Sequence, residues 1–165
     1  NIADAVNDEI RNIEKSGLKP SKQMLTNLPA RIRMTTLYAV AQSEGIKGRV
    51  SNNCNRSENY VSYETKFGDG AGDFAPIANL TVREILAIGD YLGLPKELIH
   101  KTPIDGLNTN EDGSYVTDEQ SMGFSYNELD DYLLEGIKPD KEKLKKKEKM
   151  HARGVAKNRM LAFNF

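Results

Sequence analysis

Cysteine is nearly absent from the sequence, which holds only Cys54, so no disulfide can form within the chain. This usage is typical of a reducing compartment and predicts a cytoplasmic protein. Two histidines and one cysteine at wide spacing predict no zinc site. No apolar run approaches the ~18–20 residues that span a bilayer, so no membrane span is expected. The start, Asn1-Ile-Ala-Asp4, lacks an initiator Met and does not read as a signal peptide, so we expect a trimmed or partial chain.

The sequence also lacks a strong net charge of either sign, since 23 Lys and Arg nearly balance 24 Asp and Glu and leave a formal net charge of −1. This balance excludes a bulk nucleic-acid binder, which would carry a basic excess. The charges are nevertheless segregated: residues 102–137 hold nine acids and no Lys or Arg, whereas residues 138–165 hold ten basic residues. The basic run could contact phosphates, but it is more typical of the solvated face of a surface helix.

The length of 165 residues and an apolar fraction of 38% predict about one globular domain. Apolar residues at helical spacing predict a helix over residues 2–15. A second helix is expected to open around Pro29 and to end near Gly45. Residues 48–51 are predicted to form a short strand that leads into a polar loop. One strand is too few for a free-standing α/β domain, so we expect part of the sheet to be missing.

Two capping boxes mark later helices, Thr81-Val-Arg-Glu84 and Ser125-Tyr-Asn-Glu128. We expect the first of these helices to bury Ile85, Ile88 and Leu92. Residues 103–124 are predicted to form an irregular polar loop. The domain is accordingly assigned to residues 1–137, followed by a charged C-terminal helix and tail over residues 138–165.

Several residue groups could carry chemistry, each with an alternative. The cluster Gly68-Asp-Gly-Ala-Gly-Asp73 is either a structural turn or a flexible loop that holds carboxylates near a polar ligand. One of Arg31 and Arg33 could bind a phosphate while the other pairs structurally. Glu58 is either a carboxylate at a helix start or a Mg²⁺ ligand beside phosphates. Cys54 is a weak candidate nucleophile.

A series of segments resembles the ammonia-dependent NAD synthetases. The first is Asn27-Leu-Pro-Ala-Arg31-Ile-Arg33-Met34 followed by Tyr38, and the second is Asn53-Cys-Asn-Arg-Ser-Glu58. There follow Tyr63-Glu-Thr-Lys66-Phe-Gly68-Asp69-Gly-Ala-Gly-Asp73, Pro76-Ile-Ala-Asn-Leu80, Lys101-Thr-Pro103-Ile-Asp-Gly-Leu107, Asp118-Glu119 and Gly123-Phe-Ser-Tyr126. Each segment is short, but together they keep the order and spacing of the family over about residues 26–134.

The resemblance implies an α/β fold of the adenine-nucleotide-hydrolase type, Rossmann-like, with a parallel sheet flanked by helices and incomplete in this chain. It implies amidation of deamido-NAD⁺ by ammonia, with ATP as co-substrate and Mg²⁺ as cofactor, through an adenylated intermediate in a cytoplasmic homodimer. No nucleic acid or membrane partner is implied. The implied site residues are a Mg²⁺ ligand at Glu58, an ATP contact at Asn53, and deamido-NAD⁺ contacts at Asn27, Arg31, Tyr38, Lys66, Asp73 and Lys157.

The sequence also departs from the family pattern. Asn53 replaces a usual Thr, Ser62 a usual Gly, Val82 a usual ATP-binding Lys, and Ile104 a usual Thr or Ser. The family's pyrophosphate loop, Ser-Gly-Gly-x-Asp-Ser, does not occur in the sequence. We therefore expect the C-terminal portion of a synthetase, incomplete as an enzyme on its own. The alternative is a catalytically inactive synthetase-like module for dinucleotide binding or dimerisation.

Overall fold

The structure, a computed structural model, describes residues 1–159, without the side chains at positions 105 and 107–109. Helices account for most of the regular structure, and one two-stranded ribbon lies among them. The elements are α1 (Ala3–Lys15), α2 (Lys22–Ala41), α3 (Arg56–Val61), α4 (Val82–Tyr91), α5 (Lys96–Ile99), β1 (Ile104–Thr109), β2 (Tyr115–Thr117), α6 (Asp118–Met122), α7 (Tyr126–Glu135) and α8 (Lys141–Asn158).

The chain divides into two compact units. Unit 1 comprises Asn1–Cys54 and Glu64–Pro76, and unit 2 comprises Asn55–Tyr63 together with residues 77–159 of the described chain. The predicted boundary at residue 137 stays a prediction, and the last six residues of its tail segment lie outside the described part.

Helix α1 confirms the helix predicted over residues 2–15. The apolar residues at its N-cap and along the helix recur every three or four positions and are half-buried: Ile2, Val6, Ile10 and Ile13. Helix α1 contacts α2 within unit 1. The predicted start of α2 is wrong, because the helix begins at Lys22 and Pro29 lies inside it. Ser21 caps this start by accepting a hydrogen bond from the Met24 amide at 3.2 Å.

The strand predicted over residues 48–51 is reduced to one isolated parallel bridge between Ser51 and Phe74. Two backbone hydrogen bonds flank it, from Asn52 N to Phe74 O at 2.8 Å and from Asp73 N to Val50 O at 2.7 Å. Among the described residues this bridge is the one parallel pairing, so the expected parallel sheet stays a prediction.

Unit 2 holds a buried apolar core. Met122 and Leu129 are fully buried, and α6, α7 and the segment between them supply most of its members, which are Val61, Met122, Phe124, Tyr126 and Leu129. Both predicted capping boxes are present, at the starts of α4 and α7. Burial raises the pKa of the Tyr126 phenol, and the charges of Glu58 and Asp118 add to the effect.

The irregular loop predicted over residues 103–124 is wrong. This segment forms the antiparallel pair β1–β2 and then α6, whose start is capped by Thr117. In the turn between the two strands, Asn110 N donates to Ser114 O at 2.8 Å, and Gly113 has φ +82°. Asp112-Gly113 is a typical hairpin turn sequence, because glycine adopts a positive φ without steric cost.

The burial predicted for α4 is also wrong. Ile85 is half-buried, but Ile88 is 43% exposed and Leu92, at the C-cap, is 63% exposed. Tyr91 at the end of α4, Leu94 in the segment that follows and Leu98 on α5 are exposed as well.

Helix α8 carries the basic run, and most of its lysines are exposed as the sequence predicts. Lys143 and Lys157 are half-buried, and the side chain of Lys147 is fully buried. Its Nζ donates to Glu128 O at 2.7 Å and lies 4.9 Å from the centre of the Phe124 ring. Burial lowers the pKa of Lys147, since desolvation disfavours the charged ammonium.

Helices α3 and α8 meet at a close contact between Ser62 and Gly154. Ser62 has φ +51°, the left-handed conformation that glycine adopts most easily, so the Gly that the resemblance implies here would suit this backbone. A Cβ added at Gly154 would overlap the Cβ and Oγ atoms of Ser62.

We expect Gly154→Ala to destabilise the protein by ~1–3 kcal/mol, because the added methyl has no room. In a Ser62→Gly background most of this cost should disappear, since the atoms that the methyl would overlap are gone. Urea unfolding of both single variants and the double variant measures the coupling. Equal costs of Gly154→Ala in the two backgrounds would contradict the contact.

No helix within residues 1–159 combines the length and the apolar character that a membrane crossing needs.

Candidate functional site

The glycine-rich loop of unit 1 is shaped by close packing. A Cβ at Gly72 would lie 2.5 Å from Asn52 N, and one at Gly68 would lie 2.9 Å from Ala30 Cβ. The Asn52 side chain donates from Nδ2 to Gly70 O at 3.0 Å. The packing of the loop therefore needs glycine at positions 68 and 72. This agrees with the interpretation of the cluster as a structural turn.

Helix α2 places two predicted site residues beside this loop. Arg31 Nε donates to Lys66 O at 3.2 Å, which orients the guanidinium along the loop. Asn27 Oδ1 accepts a hydrogen bond from Thr65 Oγ1 at 2.9 Å. Arg31 is exposed and Lys66 is half-buried, so both cationic side chains reach the surface of unit 1.

Asp73 ties the end of the loop to two other segments. Its Oδ2 accepts from Val50 N at 2.8 Å, and the Tyr38 hydroxyl lies 3.4 Å from its Oδ1. Burial raises the pKa of Tyr38, and the Asp73 charge and hydrogen bond raise it further. Asp73 therefore has a structural role, whatever it binds.

Asp73→Ala is expected to destabilise the protein by about 1–3 kcal/mol, because the buried Val50 N–H would lose its acceptor. Asp73→Asn should cost less, since its carbonyl oxygen can still accept from Val50 N. Thermal unfolding of both variants checks the order. Equal melting temperatures for Asp73→Ala and the wild-type protein would contradict the structural role of Asp73.

Asn53 and Cys54 follow the parallel bridge. Asn53 is exposed, and its Oδ1 accepts from Ser51 Oγ at 2.7 Å. Cys54 is buried, with its Sγ 3.5 Å from Asp69 O. A buried thiol in such contact is typical of a structural cysteine, so the geometry does not favour a nucleophile.

Glu58 of unit 2 closes a capping box at the start of α3. Its Oε2 accepts from Asn55 N at 3.0 Å, and Asn55 Oδ1 accepts from Glu58 N at 2.9 Å. The helix-start interpretation is confirmed, and the metal role stays a prediction. Within residues 1–159 no group of three or more His, Cys, Asp or Glu side chains is arranged to hold a metal ion.

Lys157, near the end of α8, donates from Nζ to Ser62 O at 2.9 Å. The His151 ring stacks on the Tyr60 ring with their centres 4.2 Å apart. His151 Nδ1 also forms a hydrogen bond with the backbone oxygen of Tyr60 at 2.8 Å. These contacts seat α8 on α3 within unit 2.

The predicted site residues thus fall into two groups. Unit 1 holds Asn27, Arg31, Tyr38, Asn53, Lys66 and Asp73, and unit 2 holds Glu58 and Lys157. The structure brings Arg31 to Lys66 and Tyr38 to Asp73, pairs that lie 35 residues apart in the sequence. Sequence reasoning did not assign a role to Thr65, because no local pattern marks a polar residue whose partner, here Asn27, lies 38 positions away.

Comparison with known proteins identifies the family. The family model described as NAD synthase matches residues 1–161. The NH(3)-dependent NAD(+) synthetase of Carboxydothermus hydrogenoformans is 43% identical over 118 residues, which are 72% of this chain and 46% of that protein.

Two solved structures extend the comparison. The NMN synthetase of Francisella tularensis is 34% identical, with a TM-score of 0.85, over 99% of this chain and 65% of that one. The NAD⁺ synthetase of Burkholderia pseudomallei is 27% identical, with a TM-score of 0.68, over 95% of this chain and 58% of that one.

These similarities support the α/β class for the chain, although the described part is rich in helix. The chain spans about half the length of the curated relatives that it matches first. A match over nearly the whole sequence nevertheless establishes the relationship. The chain belongs to the NAD synthase family.

Proposed function

We propose that the protein of which this chain is part makes NAD⁺ from deamido-NAD⁺, ATP and ammonia. The nicotinate carboxylate attacks the α-phosphorus of ATP and releases pyrophosphate. Ammonia then attacks the adenylated carboxyl carbon and releases AMP, leaving the amide. The family match over residues 1–161 carries the proposal.

The residues of unit 1 suit the dinucleotide substrate. Arg31 and Lys66 supply cations for its phosphates or carboxylate, and Arg31 is oriented by its bond to Lys66 O. Asp73 and Asn27 supply acceptor oxygens for ribose hydroxyls or amide groups. Tyr38 adds a hydroxyl from the same unit. For Lys157 of unit 2, a deamido-NAD⁺ contact stays a prediction.

ATP and Mg²⁺ are assigned to Asn53 and Glu58. Glu58 fits a Mg²⁺ ligand by its chemistry, because Mg²⁺ prefers oxygen ligands and this carboxylate is half-buried at the start of α3. Mg²⁺ beside phosphates is commonly held by one or two carboxylates, with water and phosphate oxygens completing the shell. When bound, the ion would neutralise the negative charge that builds up as pyrophosphate departs.

The departures at positions 82 and 104 limit what their side chains can do for ATP. Val82 is half-buried at the first turn of α4, and Ile104 is 37% exposed at the start of β1. Neither side chain can form a hydrogen bond, so any ATP contact there would use backbone atoms or apolar packing. The inactive-module alternative is not favoured, because the curated relatives are named as synthetases.

A second candidate function is the synthesis of NMN, the same amidation performed on a mononucleotide. The observation in its favour is the TM-score of 0.85 to the NMN synthetase of Francisella tularensis, against 0.68 for the Burkholderia NAD⁺ synthetase. Both reactions need the same activation of a nicotinate carboxylate, and they differ in whether an adenylyl half of the substrate must be bound.

Assembly and location complete the proposal. We expect a parallel sheet in the whole protein, a cytoplasmic location and a homodimer. Leu37 and Val40, three positions apart on α2, are 49% and 57% exposed, and they are apolar side chains that an interface between two copies could cover. A two-fold pair is the commonest closed arrangement. Light scattering at micromolar concentration is expected to report a dimer, and a folded sample that is only monomeric would contradict it.

The natural full-length protein tests the function. It is incubated with Mg-ATP and either deamido-NAD⁺ or nicotinate mononucleotide, with ammonia or glutamine as the nitrogen source, and the products are separated by chromatography. We expect NAD⁺ and AMP in equal amounts, with ammonia alone sufficient. A strong preference for the mononucleotide would establish the second candidate. No amide from either nucleotide would refute both.

A further inference from the structure

A buried polar pair joins three helices of unit 2. Ser57 on α3 and Asp130 on α7 are both fully buried, and Ser57 Oγ donates to Asp130 Oδ1 at 2.5 Å. The same two side chains accept from the start of α4. Val82 N donates to Ser57 Oγ at 3.2 Å, and Arg83 N donates to Asp130 Oδ2 at 2.8 Å.

The first turn of α4 is thereby satisfied by groups on two other helices. The capping box of Thr81 and Glu84 takes the amides of those two residues, and Ser57 and Asp130 take the two amides between them. Helix starts leave such amides without intrahelical partners. The pair therefore fixes the start of α4 in position, because the two amides that it binds have no hydrogen-bond partner within α4.

The start of α3 is tied to the same place. Arg56 N donates to Leu80 O, the residue before the Thr81 cap, at 2.8 Å. Ser57 is followed by Glu58, whose carboxylate closes the α3 capping box. The first turns of α3 and α4 are thus held side by side, one carrying Glu58 and the other carrying Val82.

We propose that Ser57 and Asp130 are positioning residues for the reaction: they fix the first turn of α3, and with it the Glu58 carboxylate, against the first turn of α4. The proposal rests on the proposed function. A buried serine–aspartate pair is costly to desolvate, and its geometry is defined only when every bond is made. An apolar pair could fill the same space, but it would not set the register of two helix starts.

The test uses the natural full-length protein with Ser57→Ala, Asp130→Ala and the conservative Asp130→Asn. The amide that Asp130→Asn introduces can accept from Arg83 N and donate to Ser57 Oγ, so this variant should retain most of the geometry. Ser125→Ala is the matched control. It also removes a hydroxyl that accepts from a helix-start amide, in this case Glu128 N at 3.1 Å, but the helix is α7 rather than α3 or α4.

Two readouts are needed. The first is hydrogen exchange of the Val82 and Arg83 amides without Mg²⁺ or nucleotide, and the second is the Mg²⁺ concentration that gives the half-maximal rate. We expect Ser57→Ala and Asp130→Ala to raise the exchange rates of these amides and the required Mg²⁺ concentration by about tenfold each. This is the scale of one lost hydrogen bond to a charged group. Asp130→Asn should restore most of each value, and Ser125→Ala should change neither.

The outcomes separate the possibilities. Folded Ser57→Ala and Asp130→Ala proteins with an unchanged Mg²⁺ requirement would overturn the proposal, even if their amides exchange faster. An equal effect of Ser125→Ala would also overturn it, because any loss of helix-start stability would then suffice. If Asp130→Ala does not fold, Ser57→Ala decides alone. A wild-type protein that forms no amide would instead refute the proposed function and, with it, the positioning role.

Discussion

Glu58→Gln is expected to lower kcat by about 100- to 1,000-fold in the natural full-length protein, the scale of removing one electrostatic partner of a transition state. Glutamine keeps the size of the side chain and a carbonyl oxygen, so it can still accept from Asn55 N and preserve the start of α3. The substitution therefore removes the negative charge while leaving the capping box. Steady-state rates at saturating Mg²⁺ and ATP measure the loss.

Glu128→Gln is the matched control for this prediction. Glu128 occupies the same position in the capping box of α7, where its Oε2 accepts from Ser125 N at 2.9 Å. Its carboxylate also bonds Lys143 Nζ at 2.5 Å, so the control removes a charge from an ion pair as well. Normal kcat for Glu128→Gln and a large loss for Glu58→Gln would assign the effect to the metal. Near-normal kcat for Glu58→Gln would place Glu58 outside the metal shell and leave it as a capping residue.

The sequence predicts those parts of the fold that depend on near neighbours. The periodicity of α1 and the capping boxes of α4 and α7 involve residues three or four positions apart, and the structure confirms them. The Asn55-x-x-Glu58 box is of the same kind. Residues that satisfy one another within a single turn leave a pattern that can be read without the fold.

The errors arise where another preference outweighs the local rule. Pro29 suggested a helix start, but Ser21 provides the cap well upstream of it, and the helix tolerates the proline inside it. Proline removes one backbone donor at such a site, at a cost that the remaining contacts of the helix offset. The β1–β2 ribbon was missed although Asp112-Gly113 marks its turn, because its polar composition is more typical of a loop.

The candidate site was predictable only through the resemblance. Composition and spacing left Arg31, Glu58 and the glycine cluster open between structural and functional roles. The contacts that orient the site join residues 35 positions apart, Arg31 to Lys66 and Tyr38 to Asp73, and no periodicity reaches that far. Ser57 and Asp130 are 73 positions apart, and no local pattern in the sequence pairs them.

Arg31→Ala is expected to weaken binding of deamido-NAD⁺ by roughly ten- to a hundredfold, since a charge-assisted hydrogen bond contributes about 1.5–3 kcal/mol. Arg31 Nε is held by Lys66 O, so the guanidinium is oriented before the ligand arrives and loses little conformational entropy on binding. Lys66→Ala should weaken binding in a salt-sensitive way, because an ammonium that reaches solvent acts as a point charge. Calorimetry of the full-length protein at two salt concentrations measures both effects.

Arg33→Ala is the matched control, because Arg33 is an exposed arginine on the same helix, two residues from Arg31 and therefore on another face. It removes the same charge from unit 1 without touching the bond to Lys66 O. If binding depended only on the net charge of this surface, the two variants would lose affinity equally. A loss confined to Arg31→Ala assigns the contact to the oriented guanidinium, whereas a loss confined to Arg33→Ala would transfer the contact to Arg33 and contradict the role proposed for Arg31.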